Sequence, residues 1–361
     1  MNREQMLGLY DRLTGLIEKL PGGIQKPVLK ELVPIRQMFL ELRPARLMLV
    51  GAEGRSAHEL LLGFTNGDPV QAAGSDNGWR TYEIEDRGHL QILDARTDVP
   101  QTFVEAGLAR FAPDAIIFLR EAVLPPQDSL SLVVARVALC DRAIPLFGLA
   151  LGGGDRARLS AEIAIERELA SRKTASYEEK DMDNFVEAVC AALPNAAKLE
   201  FARLTGARKA QAHIASSLLK SFTAVCGVIA LQPIPLADLP ILTALQTLMV
   251  GLIIQTTGRK AGPRLVGEFI AALGINIGAG MLFREGARAI VKVVPFWGNA
   301  VSGFVAGAGT YAIGRAAIAY FIEDTPLTET RKIFKRLLPN KKVIKESIEL
   351  QSKNPPPLPP E

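Results

Sequence analysis

Cysteine, histidine and aromatic residues are scarce: three Cys and three His in 361 residues, with aromatics at 6%. Each scarcity removes a class of function. Cys140, Cys190 and Cys226 are too widely spaced for a metal-ligand pattern or a disulfide framework, and they read as small buried apolar residues in a reducing compartment. His58, His89 and His213 are equally scattered, which excludes a zinc site by spacing, and no Ser or Cys stands in a nucleophile signature such as G-x-S-x-G. No hydrolase triad is expected. The formal charge is only +4, and no Arg/Lys stripe is interleaved with aromatics, so nucleic acid is not an expected partner. The start, Met1 to Tyr10, is charged and amphipathic and lacks the apolar core and cleavage site of a signal peptide, so the chain reads as cytosolic.

Charge itself is missing from one long stretch. Ser221 to Gly258 carries a single formal charge, Asp238, in thirty-eight residues, and such a run cannot be a surface. Pro233, Pro235 and Pro240 deny backbone donors and fix φ, so the stretch reads as two apolar helices joined in a hairpin. Leu239 to Gly258 is long enough to cross a bilayer, and Val293 to Gly314 is uncharged over a similar length. Against a lipid span, Ile241, Leu242, Leu245, Leu248, Met249, Leu252 and Ile253 gather on one side of the first run. Thr243, Gln246, Thr247 and Thr256 interrupt the other, as in a helix packed in a protein core. Gly274-x-x-x-Gly278 and Gly303-x-x-x-Gly307 permit close helix contact in either setting.

What is present changes character along the chain. Residues 1–43 read as a leading helical pair broken at Pro21-Gly-Gly23, with the second helix from about Pro27 to Leu42. From Arg46 the apolar run Leu47–Val50 predicts a buried strand, then a loop and a helix around Glu59–Leu62. Arg80–Glu85 and His89–Asp94 alternate in polarity and predict a hairpin, while Ala115–Leu119 and Ile144–Ala150 predict further buried strands. Helices are expected between and before these, at about 101–111 and 129–141. Strands alternating with helices predict an α/β domain with a mostly parallel sheet over 44–160, and 161–182 reads as a polar connector. From 183 to 325 only helices are expected, at about 183–193, 195–232, 238–257, 263–283 and 297–322. Residues 326–361 form a basic segment, with a short amphipathic helix near Arg331–Leu338, and a Pro-rich tail.

The loop after the first strand, Gly51-Ala-Glu-Gly-Arg-Ser-Ala-His58, approximates a phosphate-binding loop. Aligned from its first glycine, Ser56, Ala57 and His58 replace Gly, Lys and Ser/Thr; aligned from its end, Gly54-Arg55-Ser56 stands where Gly-Lys-Ser is required but the loop is two residues short, and either way the Lys is absent. Read by themselves, Asp94 is a strand-end carboxylate and Asp155 a helix N-cap. The order of elements over residues 44–160 nonetheless resembles the Era-like GTPases. The resemblance implies GTP or GDP and Mg²⁺ as ligands. Gly51, Gly54, Arg55 and Ser56 would then lie at the phosphates, and Asp94 of Asp94-Ala-Arg-Thr97 would hold Mg²⁺ through water. Asp155, after Gly152-Gly-Gly154, would read the guanine. With the Lys gone, phosphoryl transfer loses its charge neutralisation, and a pseudo-GTPase is the expectation.

A second resemblance covers 183–323. Leu193 to Arg203, Pro233 to Met249, Val294-Pro-Phe-Trp-Gly298 and Gly307 to Arg315 are similar, in that order, to the bacterial YcjF-like family, domain of unknown function 697. That family often follows a GTPase domain and is associated with the inner membrane. The fold class expected is therefore α/β plus all-α: a P-loop GTPase-like domain followed by an apolar helical bundle. The function implied is a membrane-associated adaptor or regulator with little or no nucleotide hydrolysis, at the cytoplasmic face of the inner membrane. Its expected partners are membrane lipid or a membrane protein, with self-association into a homo-oligomer left open. Arg331, Lys332, Lys335, Arg336, Lys341, Lys342 and Lys345 supply a basic patch for anionic lipid, or a solvated basic tail. Two alternatives stand beside this reading: an active GTPase in membrane remodelling or signalling, and a soluble cytoplasmic helical scaffold without nucleotide.

Overall fold

The computed structural model describes residues 22–51, 56–65, 67–84, 87–96, 100–121, 144–152, 174–230, 238–259, 261–274 and 298–339, with scattered positions between Gly8 and Glu18. Its strands are β1 (Ala45–Gly51), β2 (Val70–Asp76), β3 (Trp79–Ile84), β4 (Gly88–Asp94), β5 (Ala115–Glu121), β6 (Leu146–Leu151) and β7 (Thr174–Glu178). Its helices are α1 (Gly22–Phe39), α2 (Ala57–Phe64), α3 (Gln101–Arg110), α4 (Met182–Ala192), α5 (Asn195–Thr205), α6 (Arg208–Ala230), α7 (Asp238–Thr256), α8 (Pro263–Ala272), α9 (Gly298–Phe321) and α10 (Leu327–Leu337). The chain divides into two compact units, 37–211 and 1–36 with 212–361.

The unit 37–211 is built on a sheet of order β2-β3-β4-β1-β5-β6-β7. β4, β1, β5, β6 and β7 pair in parallel, while β2–β3 and β3–β4 pair antiparallel. The central strands are continuous apolar runs because both faces are covered: Leu47, Met48, Leu49 and Val50 on β1 and Ile116, Ile117, Phe118 and Leu119 on β5 are all buried. β3 and β4 alternate instead, burying Tyr82, Ile84, Leu90 and Ile92 and exposing Glu83 and His89, and they form the expected hairpin with Ile84 opposite Gly88. On one face α3 contributes Val104 to a core with Met48, Val50, Trp79, Leu93, Ile116 and Phe118. Trp79 is fully buried and donates its indole N–H to the Gly107 carbonyl at 2.9 Å, so its one polar atom is satisfied. Helix α5 packs on β4 and β1. There the buried Glu200 carboxylate accepts the His89 backbone N–H at 2.7 Å, and burial pulls the Arg203 guanidinium down to about 10 against the attraction of Glu200.

Four features differ from the sequence expectations. β2 is an added edge strand, exposed from Gln71 to Asp76, whose register slips between Ala72 and Gly74 so that Ala73 is the extra residue of a bulge. β7 lies inside the segment read as a connector and pairs with β6. Phe185 of α4 explains why the sheet-bearing unit continues past that segment: fully buried, it meets Phe64 at 5.5 Å, Tyr177 at 5.7 Å and Phe147 at 6.4 Å between ring centroids, tying α2, β7 and β6 together. The long helix expected over 195–232 is two helices, because Gly206 takes a left-handed conformation, φ +61°, and caps α5. Finally, α1 starts at Gly22 and accommodates Pro27 and Pro34. The expected helix at 129–141 and most of the connector lie outside the described residues.

In the other unit the small residues of α6 and α9 meet as the sequence spacing anticipates. The Gly303 carbonyl stands 3.6 Å from where a Cβ on Gly227 would be, and the Thr223 carbonyl is equally near that of Gly307. Gly314 is enclosed by Leu219 of α6 and Met249 of α7, so both apolar helices of the charge-poor stretch pack on α9. Gln246 of α7 donates to the hydroxyl of the fully buried Thr310 of α9 at 3.0 Å. Thr256, expected on the polar side of α7, is buried and donates its hydroxyl to the Ile253 carbonyl at 2.7 Å.

Candidate functional site at the carboxyl edge of the sheet

Because β4, β1, β5, β6 and β7 run the same way, their last residues, Asp94, Gly51, Glu121, Leu151 and Glu178, share one edge. The chain leaves β1, returns on one side as β4 and on the other as β5, so the strand order reverses at β1. In open α/β sheets ligands sit outside the carboxyl ends at such a point. Asp94 lies opposite Leu49, and the Ala95 N–H binds the Leu49 carbonyl at 2.8 Å, which fixes Asp94 beside the end of β1. Ser56 opens α2, which follows β1. The fold thus collects Gly51, Ser56 and Asp94 in one neighbourhood. Gly54, Arg55, Thr97 and Asp155 lie outside the described residues.

Gly51 has φ +104°, and a Cβ there would fall 2.3 Å from the Leu119 carbonyl oxygen and 2.6 Å from the Phe118 ring. Only glycine fits where the chain turns off the sheet. Ser56 is the N-cap of α2: its hydroxyl accepts the Glu59 N–H at 3.2 Å, and Glu59 Oε2 accepts the Ser56 backbone N–H at 2.7 Å and the hydroxyl proton at 3.0 Å. This is a closed capping box. It places a carboxylate at the positive end of the helix, the position from which an anion such as phosphate would otherwise draw stabilisation.

Asp94 is engaged as well. Arg96 donates Nε–H to Oδ1 at 2.8 Å and Nη2–H to Oδ2 at 2.6 Å, and its backbone N–H reaches Oδ1 at 3.3 Å. The pair is mostly buried, 8% exposed at Arg96 and 17% at Asp94. A planar fork fastened to both carboxylate oxygens is the strongest form of Arg–Asp contact. No family model and no curated protein matches this chain. The fit of Mg²⁺ therefore rests on the geometry alone, and of the described residues Asp94 and Ser56 do not fit it. The Asp94 carboxylate is already neutralised by a fixed cation, and the Ser56 hydroxyl has its proton and one lone pair committed within the capping box. Among the described residues, no three His, Cys, Asp or Glu side chains gather in a way that could hold a metal ion.

At the end of β6 the Gly152 N–H, φ +59° at this residue, donates to Glu179 Oε2 at 3.0 Å. Glu59, Arg96 and Glu179 are the groups that sequence reasoning did not single out. Ser56-x-x-Glu59 carried a capping-box signal. Arg96 had only its nearness to Asp94, and Glu179 is brought in by the unexpected β7.

Among the described residues the thiols, Cys190 and Cys226, take no part, and Cys140 lies outside them. Burial pushes Cys190 up to about 12 and Cys226 up to about 11, so both are protonated and inert at neutral pH.

The remaining surface of interest is α10. Thr330 and Phe334 are buried, whereas Arg331, Lys332, Lys335 and Arg336 are exposed. Arg331 Nε–H binds the Ala272 carbonyl at the end of α8, and Lys332 pairs with Glu329 at 2.7 Å. Lys341, Lys342 and Lys345 lie outside the described residues. Among the described residues one helix, α6, is long and apolar enough to cross a membrane, and 44% of its most apolar window is buried. Arg208, Lys209, His213, Ser217 and Lys220 line its exposed side. Of the two spans the sequence suggested, the first, Leu239 to Gly258, falls on α7. The second includes 293–297, outside the described residues.

Proposed function

We propose that this protein is a pseudo-GTPase-like adaptor or regulator that works at a membrane surface with weak or no nucleotide hydrolysis. Support for the first half comes chiefly from the capping box at Ser56 and Glu59. The element order and the glycine at the β1 exit are those expected of a GTPase-like unit, yet the helix start that should receive phosphate holds the chain's own carboxylate. The loop also lacks the Lys that would draw phosphate in against that carboxylate. Support for the second half is the basic exposed side of α10, which suits an anionic bilayer surface, where each Lys or Arg contributes about 1 kcal/mol.

Titration of the full chain with a fluorescent GTP analogue in Mg²⁺ tests the first half. No saturation up to millimolar concentration is expected, whereas micromolar binding that disappears in Asp155→Ala would establish an active GTP-binding protein instead. For the second half, sedimentation with vesicles containing phosphatidylglycerol should carry the protein down at low salt. Binding should fall several-fold when Lys335 and Arg336 are both changed to Glu; equal binding to neutral vesicles would remove the electrostatic basis of the reading.

A further inference from the structure

A GTPase-like unit that has discarded its metal faces a physical difficulty at Asp94. A carboxylate that is largely buried at the end of a strand is costly unless something positive accompanies it. We infer that Arg96 is the permanent, built-in replacement for the divalent ion, so that the carboxyl edge of β4 keeps one arrangement with or without metal and nucleotide. This rests on the pseudo-GTPase reading and adds how the vacated chemistry is compensated.

Three observations carry it. The fork engages both Asp94 oxygens, at 2.8 and 2.6 Å, and places a fixed positive charge where a water-bridged cation would otherwise balance the carboxylate. Arg96 is only two residues away along the chain, and its own N–H points at Oδ1, so the turn after β4 delivers the guanidinium without recruiting anything from solution. The guanidinium is covalently part of the chain, so neither dilution nor a chelator removes it. A ligand can move a conformational equilibrium only by binding two states differently. With its cation covalently supplied, this edge offers a divalent ion nothing to complete. An adaptor built this way presents the same surface continuously.

The test is thermal unfolding of the full chain in EDTA and in millimolar Mn²⁺ for wild type, Arg96→Gln, Asp94→Asn and the double variant Asp94→Asn/Arg96→Gln. The wild type should melt at the same temperature in both buffers. Arg96→Gln strands the carboxylate and should melt about 5 °C lower in EDTA, with part of the loss regained in Mn²⁺. The double variant, whose amides can pair as neutral groups, should lose less than Arg96→Gln and ignore Mn²⁺. Stabilisation of the wild type by Mn²⁺ that vanishes in Asp94→Asn would overturn the inference, as would an Arg96→Gln protein that melts like the wild type. Should Arg96→Gln not fold, the double variant decides: folded and insensitive to Mn²⁺ supports the replacement, unfolded refutes it. Guanine nucleotide binding by a wild type that stays indifferent to Mn²⁺ would end the pseudo-GTPase reading and leave the role of Arg96 intact, so the two fail separately.

Discussion

The two edges of the sheet are each fastened by an arginine fork on an aspartate, and the contrast between them is instructive. At the amino edge Arg43 grips Asp114 at 2.7 and 2.6 Å, and Asp114 also accepts the Arg46 N–H at 2.9 Å, joining residues 71 and 68 positions apart. The Asp114 hydrogen bond holds the Arg43 guanidinium above its usual range, while burial and the nearby Arg43 lower Arg46, whose guanidinium lies 3.7 Å over the Phe111 ring. At the carboxyl edge the corresponding pair, Asp94 and Arg96, is two residues apart. A pair spanning 71 positions closes a long loop and holds the entries to β1 and β5 together. A pair spanning two closes nothing, so its reason must be local, namely the neutralisation of Asp94.

That contrast can be broken in order of expected size. Gly51→Ala should be the most damaging change, costing about 3 kcal/mol or more, because its Cβ meets backbone 2.3 Å away and the positive φ is strained for any other residue. Urea unfolding followed by the fluorescence of the buried Trp79, in a Trp297→Phe background, measures it. Asp114→Ala comes next at about 3 kcal/mol, since it leaves Arg43 and the Arg46 N–H without their partner. The same titration should show it costing more than Arg96→Gln, and equal losses would dissolve the distinction between clasp and local fork. Ser56→Ala should be smallest, about 1 kcal/mol for a lost N-cap. A much larger loss would mean that Ser56 does more than cap α2.

How far the chain could be read without its structure follows from what each segment displays. β3 and β4 were legible because Tyr82, Ile84, Leu90 and Ile92 alternate with polar residues about a tight turn. β2 was not, since Gln71-Ala-Ala-Gly-Ser-Asp76 is an exposed edge whose strand character comes from pairing with β3 and not from its side chains. β7 was hidden for a related reason: Thr174–Glu178 is short, and it becomes a strand by completing β6. In the candidate site Gly51, Ser56 and Asp94 were legible from their places at the ends of two predicted strands and ahead of a predicted helix. Of their partners Glu59 was legible through the Ser56-x-x-Glu59 spacing, whereas Arg96 was not, because two residues of separation from Asp94 mark no ion pair. Both contacts close only once the backbone is folded.

The slipped register of β2 bears on how this molecule tolerates crowding. A flat outer strand is an open invitation for another polypeptide to zip on, and its row of unspent amides and carbonyls sets how far such growth can run. The extra residue at Ala73 breaks that row's rhythm, so an incoming strand in step with one half is out of step with the other. Strand addition along β2 therefore meets a mismatch after a few residues.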